Sequence, residues 1–255
     1  MRTLIRAALL LAAPAILAQA APAAAADYET WLSSANAIRW DSDATWKVNL
    51  GAGLGVAPKF EYARDGELVL LPMLDIEWRD YAFASTQRGV GFKLLNTRRT
   101  ETGVRLTYDF GRSPTDDDFL DGTDEIEATP QVGGYLITYF GAWRATADFR
   151  YATSSYKGIS GAFGLAYGGA LTDATNIIAG IDAHYASKKY NFAYFEEGKS
   201  GINDVTPFLQ VIHSMPRGMY VSLDGRIAIV SGAAKNPDYT ASRSYSAGAI
   251  VGKRF

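Results

Sequence analysis

The chain has no cysteine, only two histidines and no surplus of positive charge. The first absence removes disulfides and thiolate metal sites. The second confines imidazole chemistry to His184 and His213. The third argues against nucleic acid as a partner. The formal charge is −2, and −4 for a chain without Arg2 and Arg6. Long hydrophobic runs are also missing. Beyond the N-terminus no apolar stretch approaches the ~20 residues that a membrane-spanning helix needs. Phosphate-binding glycine loops, nucleophile elbows and metal-ligand spacings are not visible either. Gly51, Gly53 and Gly55 alternate within a strand pattern and open no helix, so they are not a dinucleotide fingerprint. No catalytic residue, cofactor or metal is expected.

What is abundant is tyrosine (15) and glycine (25), in a chain whose mean hydropathy is near zero at −0.06. Strands with one apolar face and one polar or small face give that composition. The N-terminus reads as an export signal. Arg2 and Arg6 precede an apolar stretch from Ala7 to Ala18, and Ala24-Ala25-Ala26 offers a cleavage site before Asp27. A cut after Ala20 is the alternative. The expected organisation is a signal peptide over 1–26, a periplasmic segment over 27–44 carrying Trp31 and Trp40, and a membrane domain over 45–255.

Within that domain the period is two. Trp46, Val48, Leu50, Ala52, Leu54 and Val56 share one face, against Lys47, Asn49, Gly51, Gly53 and Gly55. Val104, Leu106, Tyr108 and Phe110 oppose Gly103, Arg105, Thr107, Asp109 and Gly111. Trp143, Ala145, Ala147, Phe149 and Tyr151 oppose Arg144, Thr146, Asp148 and Arg150. A soluble sandwich would alternate too. Aromatics near the strand ends and polar faces that mix glycine with both signs of charge favour the inverted arrangement of a membrane barrel. The last strand has Tyr245, Ala247, Ala249, Val251 and Phe255 on one face, with Lys253 as the exception. Phe255, Val251, Ala249 and Tyr245 thus form a candidate signal for the outer-membrane insertion machinery.

Short connections at Gly141-Ala142, Thr172 to Ala174 and Pro216-Arg217-Gly218 alternate with long polar ones at 57–66, 112–127, 153–158, 187–203 and 231–241. Outer-membrane barrels pair short periplasmic turns with long outer loops. The expectation is an all-β fold, a transmembrane antiparallel up-and-down β-barrel of about 12 strands, with about 10 as the alternative. The stretch 67–97 holds either two strands beyond 67–78 or one bent continuation.

Several motifs resemble the MipA/OmpV family: Gly51 to Pro58, Leu71-Pro72-Met73-Leu74-Asp75-Ile76-Glu77-Trp78, Phe83 to Thr86 with Arg88 to Gly91, Tyr108 to Arg112 followed by Asp116 to Asp118 and Thr129-Pro130, and Leu165 to Gly169. The resemblance spans nearly the whole mature chain and thins after 185. It departs at 186–204. There the family usually has Tyr-Tyr/Phe-Gly-Val and then Ser-Ala-x-Ser-Gly-Leu, where this chain has Tyr194-Phe195-Glu196-Glu197-Gly198-Lys199-Ser200-Gly201. The resemblance implies a non-enzymatic protein of the Gram-negative outer membrane, among outer-membrane lipid and lipopolysaccharide. It also implies an interaction role that links a lytic transglycosylase with a murein synthase. A small-solute channel is the alternative, and an outer-membrane lipid-modifying enzyme a third possibility.

Candidate lumen charges are Arg105, Asp109, Arg144, Asp148, Arg150, Asp182 and Arg226, with Lys47 and Asp224. Both signs occur, which suits a salt-bridged plug in a narrow barrel and leaves a mixed-selectivity pore as the functional option. The candidate outer acidic loop holds Asp116, Asp117, Asp118, Asp121 and Asp124, with Glu125 and Glu127. A calcium loop fails on spacing: with Gly122 as the turn glycine, Phe119 and Ala128 fall on ligand positions. A solvated loop is expected. His184 and His213 lack a serine two residues away on their own face, so neither is expected to be catalytic.

Overall fold

The computed structural model describes residues 44–236, 238 and 240–255. The proposed signal peptide and nearly all of the 27–44 segment lie outside these. Twelve antiparallel strands form one closed barrel: β1 (Trp46–Pro58), β2 (Gly66–Trp78), β3 (Ala82–Ser85), β4 (Gly89–Asn96), β5 (Thr100–Asp109), β6 (Thr129–Phe140), β7 (Trp143–Ala152), β8 (Ile159–Ala170), β9 (Thr175–Ala186), β10 (Gly201–Ser214), β11 (Met219–Val230) and β12 (Arg243–Arg254). Each strand pairs with its sequence neighbours. β1 closes on β12 from Asn49↔Arg254 to Val56↔Ala247. The count is the expected 12, and the unclear stretch resolves as two strands beyond β2.

The alternation sets which way each face points. Leu50, Leu54, Leu106, Phe149, Leu165 and Val251 are all exposed on the outer wall, although none of them gains anything from water. Leu50 and Leu106 are 44% and 51% exposed, where a packed soluble core would bury both. This is the inverted pattern of a wall that faces lipid. Aromatics band both ends of it. Trp46 packs on Trp78, Trp78 on Tyr81, and Trp143 meets Tyr167 edge-on near the short-turn end. Tyr108 meets Phe110 near the long-loop end. Strands of 10–14 residues are the rule. Twelve residues at ~3.3 Å each, tilted by ~45°, rise ~28 Å, close to one hydrocarbon thickness.

The connections explain the direction of travel. Gly141 takes φ +66 in the two-residue turn that pairs Phe140 with Trp143, a conformation that glycine adopts without strain. The long connections all leave the opposite end, which by the usual rule is the cell surface. Both ends of the described barrel, Trp46 and Phe255, then lie at the periplasmic rim.

Tyrosine and glycine are abundant for a shared reason. In five directly opposed cross-strand pairs a glycine lies under an aromatic ring: Gly91↔Phe83, Gly103↔Tyr135, Gly161↔Phe149, Gly180↔Phe208 and Gly252↔Tyr220. In each, the ring covers the space that a Cβ would occupy. The ring packs on backbone and helps pin the register.

The interior departs from a purely polar lining. Val69, Leu71, Met73, Ile178, Phe208, Ile212, Tyr220 and Ile250 point inward and form one buried cluster. An inward apolar residue costs nothing when other inward residues cover it, so a filled barrel need not be polar throughout.

The wall generates a direct prediction. Leu165 lies mid-strand on the lipid face of β8. Leu165→Arg is expected to destabilise the barrel by about 2–4 kcal/mol, read from urea titrations of folding into lipid vesicles.

Candidate functional site

The lumen is built in three parts. Nearest the periplasm, the short β3–β4 hairpin carries Arg88 to the inward carboxylates of β2. The Arg88 guanidinium lies 2.7 Å from both Asp75 and Glu77. Lys93 bridges Glu77 at 2.9 Å and Glu101 at 3.1 Å. The Tyr135 hydroxyl donates to Glu101 at 3.0 Å, and Phe83 lies under Arg88. Two cations thus serve three carboxylates. Charges this far out of water persist only when each has opposite charge or donors around it. Sequence reasoning missed this cluster. Asp75 and Glu77 alternate correctly, but Arg88 belongs to a turn that no periodicity marks.

The apolar cluster fills the side of the lumen formed by β8–β12, β1 and β2. Two more ion groups stand on the wall. Arg105 meets Asp148 at 2.6 Å, and Asp148 also meets Arg150 at 2.8 Å. Arg226 meets Asp224 at 3.0 Å and Asp182 at 3.9 Å. Arg144 is half-buried beside them on β7, and Lys47 is buried at the rim, 3.9 Å from Asp80. All seven candidate lumen charges therefore belong to inward positions, and most are engaged with one another.

The outer third is a cap with its own core. The β9–β10 loop folds into α1 (Lys188–Phe195), which occupies the stretch where the chain departs from the family pattern. Phe60, Tyr62, Leu120, Ile126, Tyr190, Tyr194, Phe195 and Ala234 bury one another across four loops. Tyr190 stacks on Tyr194 at 4.5 Å, and Tyr156 meets both edge-on. Carboxylates tie the cap together and, at Asp109 and Asp204, fasten it to the wall. Tyr156 and Tyr194 donate to Asp109 at 2.5 and 2.7 Å, Tyr62 to Asp204 at 2.5 Å, and Tyr190 to Glu61 at 2.8 Å. Burial, and then the Asp109 charge, hold the Tyr156 and Tyr194 hydroxyls protonated well above the usual tyrosine range, so they remain donors.

Beneath the cap lies a cavity of about 90 Å³, lined by residues that include Arg150, Ser160, His184, Asp204, Arg226 and Ser244. His184 Nδ1 sits 2.8 Å from Asp204, which also accepts from Thr206. No hydroxyl hydrogen-bonds the His184 ring among the described residues. His213 is exposed near the other end, 2.9 Å from Thr175.

The acidic loop divides. Asp118, Asp121, Asp124, Glu125 and Glu127 are exposed. Asp116 closes a capping box with Ser113, and Asp117 accepts from Lys59 at 2.7 Å. The Lys59 hydrogen bond, and then the Phe119 N–H, hold the Asp117 carboxyl below the usual range. Among the described residues no group of three potential metal ligands converges.

An apolar exterior and a closed twelve-strand antiparallel wall define an outer-membrane β-barrel. The model of the family "MltA-interacting protein MipA" matches residues 50–255, and the chain belongs to that family. No curated protein matches. Among solved structures, the NanC porin is similar at 9% identity, over 82% of this chain and 98% of the other, with a TM-score of 0.45. An outer membrane channel from Pseudomonas putida F1 is similar at 8% identity, over 85% and 98%, with a TM-score of 0.49. The translocator domain of the autotransporter NalP from Neisseria meningitidis is similar at 12% identity, over 91% and 96%, with a TM-score of 0.46.

Asp109→Ala removes the acceptor of two buried hydroxyls, each worth about 1–3 kcal/mol when left unsatisfied. The expected outcome is faster proteolytic nicking of loops 153–158 and 187–200, while the barrel core keeps its heat-modifiable migration.

Proposed function

We propose that this protein works by interaction rather than catalysis: it serves as an outer-membrane scaffold that brings a lytic transglycosylase together with a murein synthase. Membership of a family named for binding MltA supports the transglycosylase half. The observation that carries the interaction role is the filled lumen. Ion groups, an apolar cluster and a loop cap crowd the interior at successive levels, which leaves the barrel's surfaces as the larger area it offers to other molecules. The outer loops are a second contact surface, toward lipopolysaccharide and the environment. Export by residues 1–26, and insertion directed by Phe255, Val251, Ala249 and Tyr245, belong to the same proposal. All four of these side chains stand on the outward face of β12 or at its end.

A small-solute channel is the second reading. The polar cavity under the cap favours it, since loosening of the cap would open that cavity to the outside. A lipid-modifying activity at His184 has less behind it: Asp204 orients Nδ1 as an acid would in a catalytic triad, but among the described residues no serine hydroxyl hydrogen-bonds the ring.

Co-purification decides between scaffold and conduit. An MltA-type lytic transglycosylase is expected to follow the full chain out of crosslinked envelopes and to be lost when residues 27–44 are deleted. Absence of the enzyme, together with steady single-channel conductance in planar bilayers, would replace the scaffold with a pore.

A further inference from the structure

The cations at the periplasmic rim are unevenly placed. Arg217 lies in the β10–β11 turn, Arg79 in the β2–β3 turn, and Arg98 and Arg99 in the β4–β5 turn. The barrel order places these turns on one continuous arc, with the end of β12 and the start of β1 between them. All four arginines are exposed. Among the described residues no carboxylate stands within ion-pair distance of any of them; Arg79 rests on the Trp78 ring. The side-chain carboxylate on this arc, Asp80, is approached by Lys47 and accepts from Asn96. Arg79, Asp80, Lys47 and Asn96 also line a polar groove of about 550 Å³ at the middle of the arc. The other half of the rim has the Gly141-Ala142 turn and Leu171 to Ala174, which contain no cation and one acid, Asp173.

We propose that this arginine arc is a docking surface for a periplasmic protein that presents an acidic face. The proposal rests on the scaffold reading and names the surface that carries it. Arginine forks match carboxylates in pairs and are weakly hydrated, which suits an interface. Inward-facing guanidiniums such as Arg88, Arg105 and Arg226 have acids of the same chain beside them, whereas the four arc arginines have none among the described residues and stay free to meet acids of another molecule. Annular lipid surrounds a barrel on every side and would be served by cations all round the rim. A one-sided arc fits a partner seated on one side. Rim charges of this kind speed encounter and fix orientation, and salt weakens them.

The test uses the full chain in nanodiscs with a purified MltA-type lytic transglycosylase. Affinity is measured at 50 and 300 mM NaCl for the wild type, for the combined variant Arg79→Glu, Arg98→Glu, Arg99→Glu, Arg217→Glu, and for Ala142→Glu with Ala174→Glu on the opposite half. The four-fold variant is expected to bind at least tenfold more weakly and to lose most of its salt dependence, with the opposite-half variant unchanged. Should the four-fold variant fail to fold by heat-modifiable migration, the corresponding Gln series replaces it, with a smaller loss of affinity in the same order. Equal affinity of the wild type and the arc variant overturns the inference and leaves the scaffold standing. No binding by the wild type removes the scaffold reading for this enzyme, and the arc's role with it. Unchanged enzyme affinity with reduced retention of phosphatidylglycerol assigns the arginines to lipid headgroups and overturns the proposal.

Discussion

The structure depends on one constraint: hydrocarbon offers no hydrogen bonds to a peptide backbone. Every N–H and C=O that crosses the membrane needs a partner within the protein. Strands can meet that demand only by closing on themselves, and here β1 meets β12 through eight aligned residue pairs. Closure in turn divides the side chains. Those that point outward must tolerate lipid, and those that point inward must fill a tube about twelve strands round.

The interior of this barrel is crowded by two kinds of side chain. Charges of both signs are locked together, as at Arg88 with Asp75 and Glu77 and at Arg226 with Asp224 and Asp182. Apolar side chains such as Leu71, Phe208 and Ile212 pack against one another beside them. Above both, four loops bury their own aromatic core and are tied down by tyrosine hydroxyls on Asp109, Asp204 and Glu61. A buried carboxylate is expensive unless donors surround it. The same groups that hold the cap therefore satisfy the wall.

Much of this was legible in the residues, for physical reasons. Lipid-facing and lumen-facing positions must alternate, so 46–56, 103–111 and 143–151 announced both the strands and their outward faces. Five of the candidate lumen charges, Arg105, Asp109, Arg144, Asp148 and Arg150, follow from the same parity. The apolar cluster was not legible. In β2 both faces are apolar, with Leu68 and Leu70 outside and Val69 and Leu71 inside, and alternation disappears into a continuous run. β3 has only four residues, too few to show a period. The cap was hidden because its bonds join residues far apart in the chain, 85 positions for Tyr194 with Asp109 and 142 for Tyr62 with Asp204. Family resemblance supplied the class of function, which neither periodicity nor charge contains.

The absence of cysteine allows the central claim to be tested cleanly, since any introduced thiol is the only one. Single cysteines at Leu50, Leu106 and Leu165, and at Thr107, Asp148 and Ser222, can be spin-labelled in lipid vesicles. Collisions with dissolved oxygen and with a water-soluble nickel chelate are then compared. The account predicts high oxygen and low nickel accessibility for the first three, and low oxygen accessibility for the second three. Leucine positions shielded from both relaxers, in a chain that stays dispersed without detergent, would contradict it.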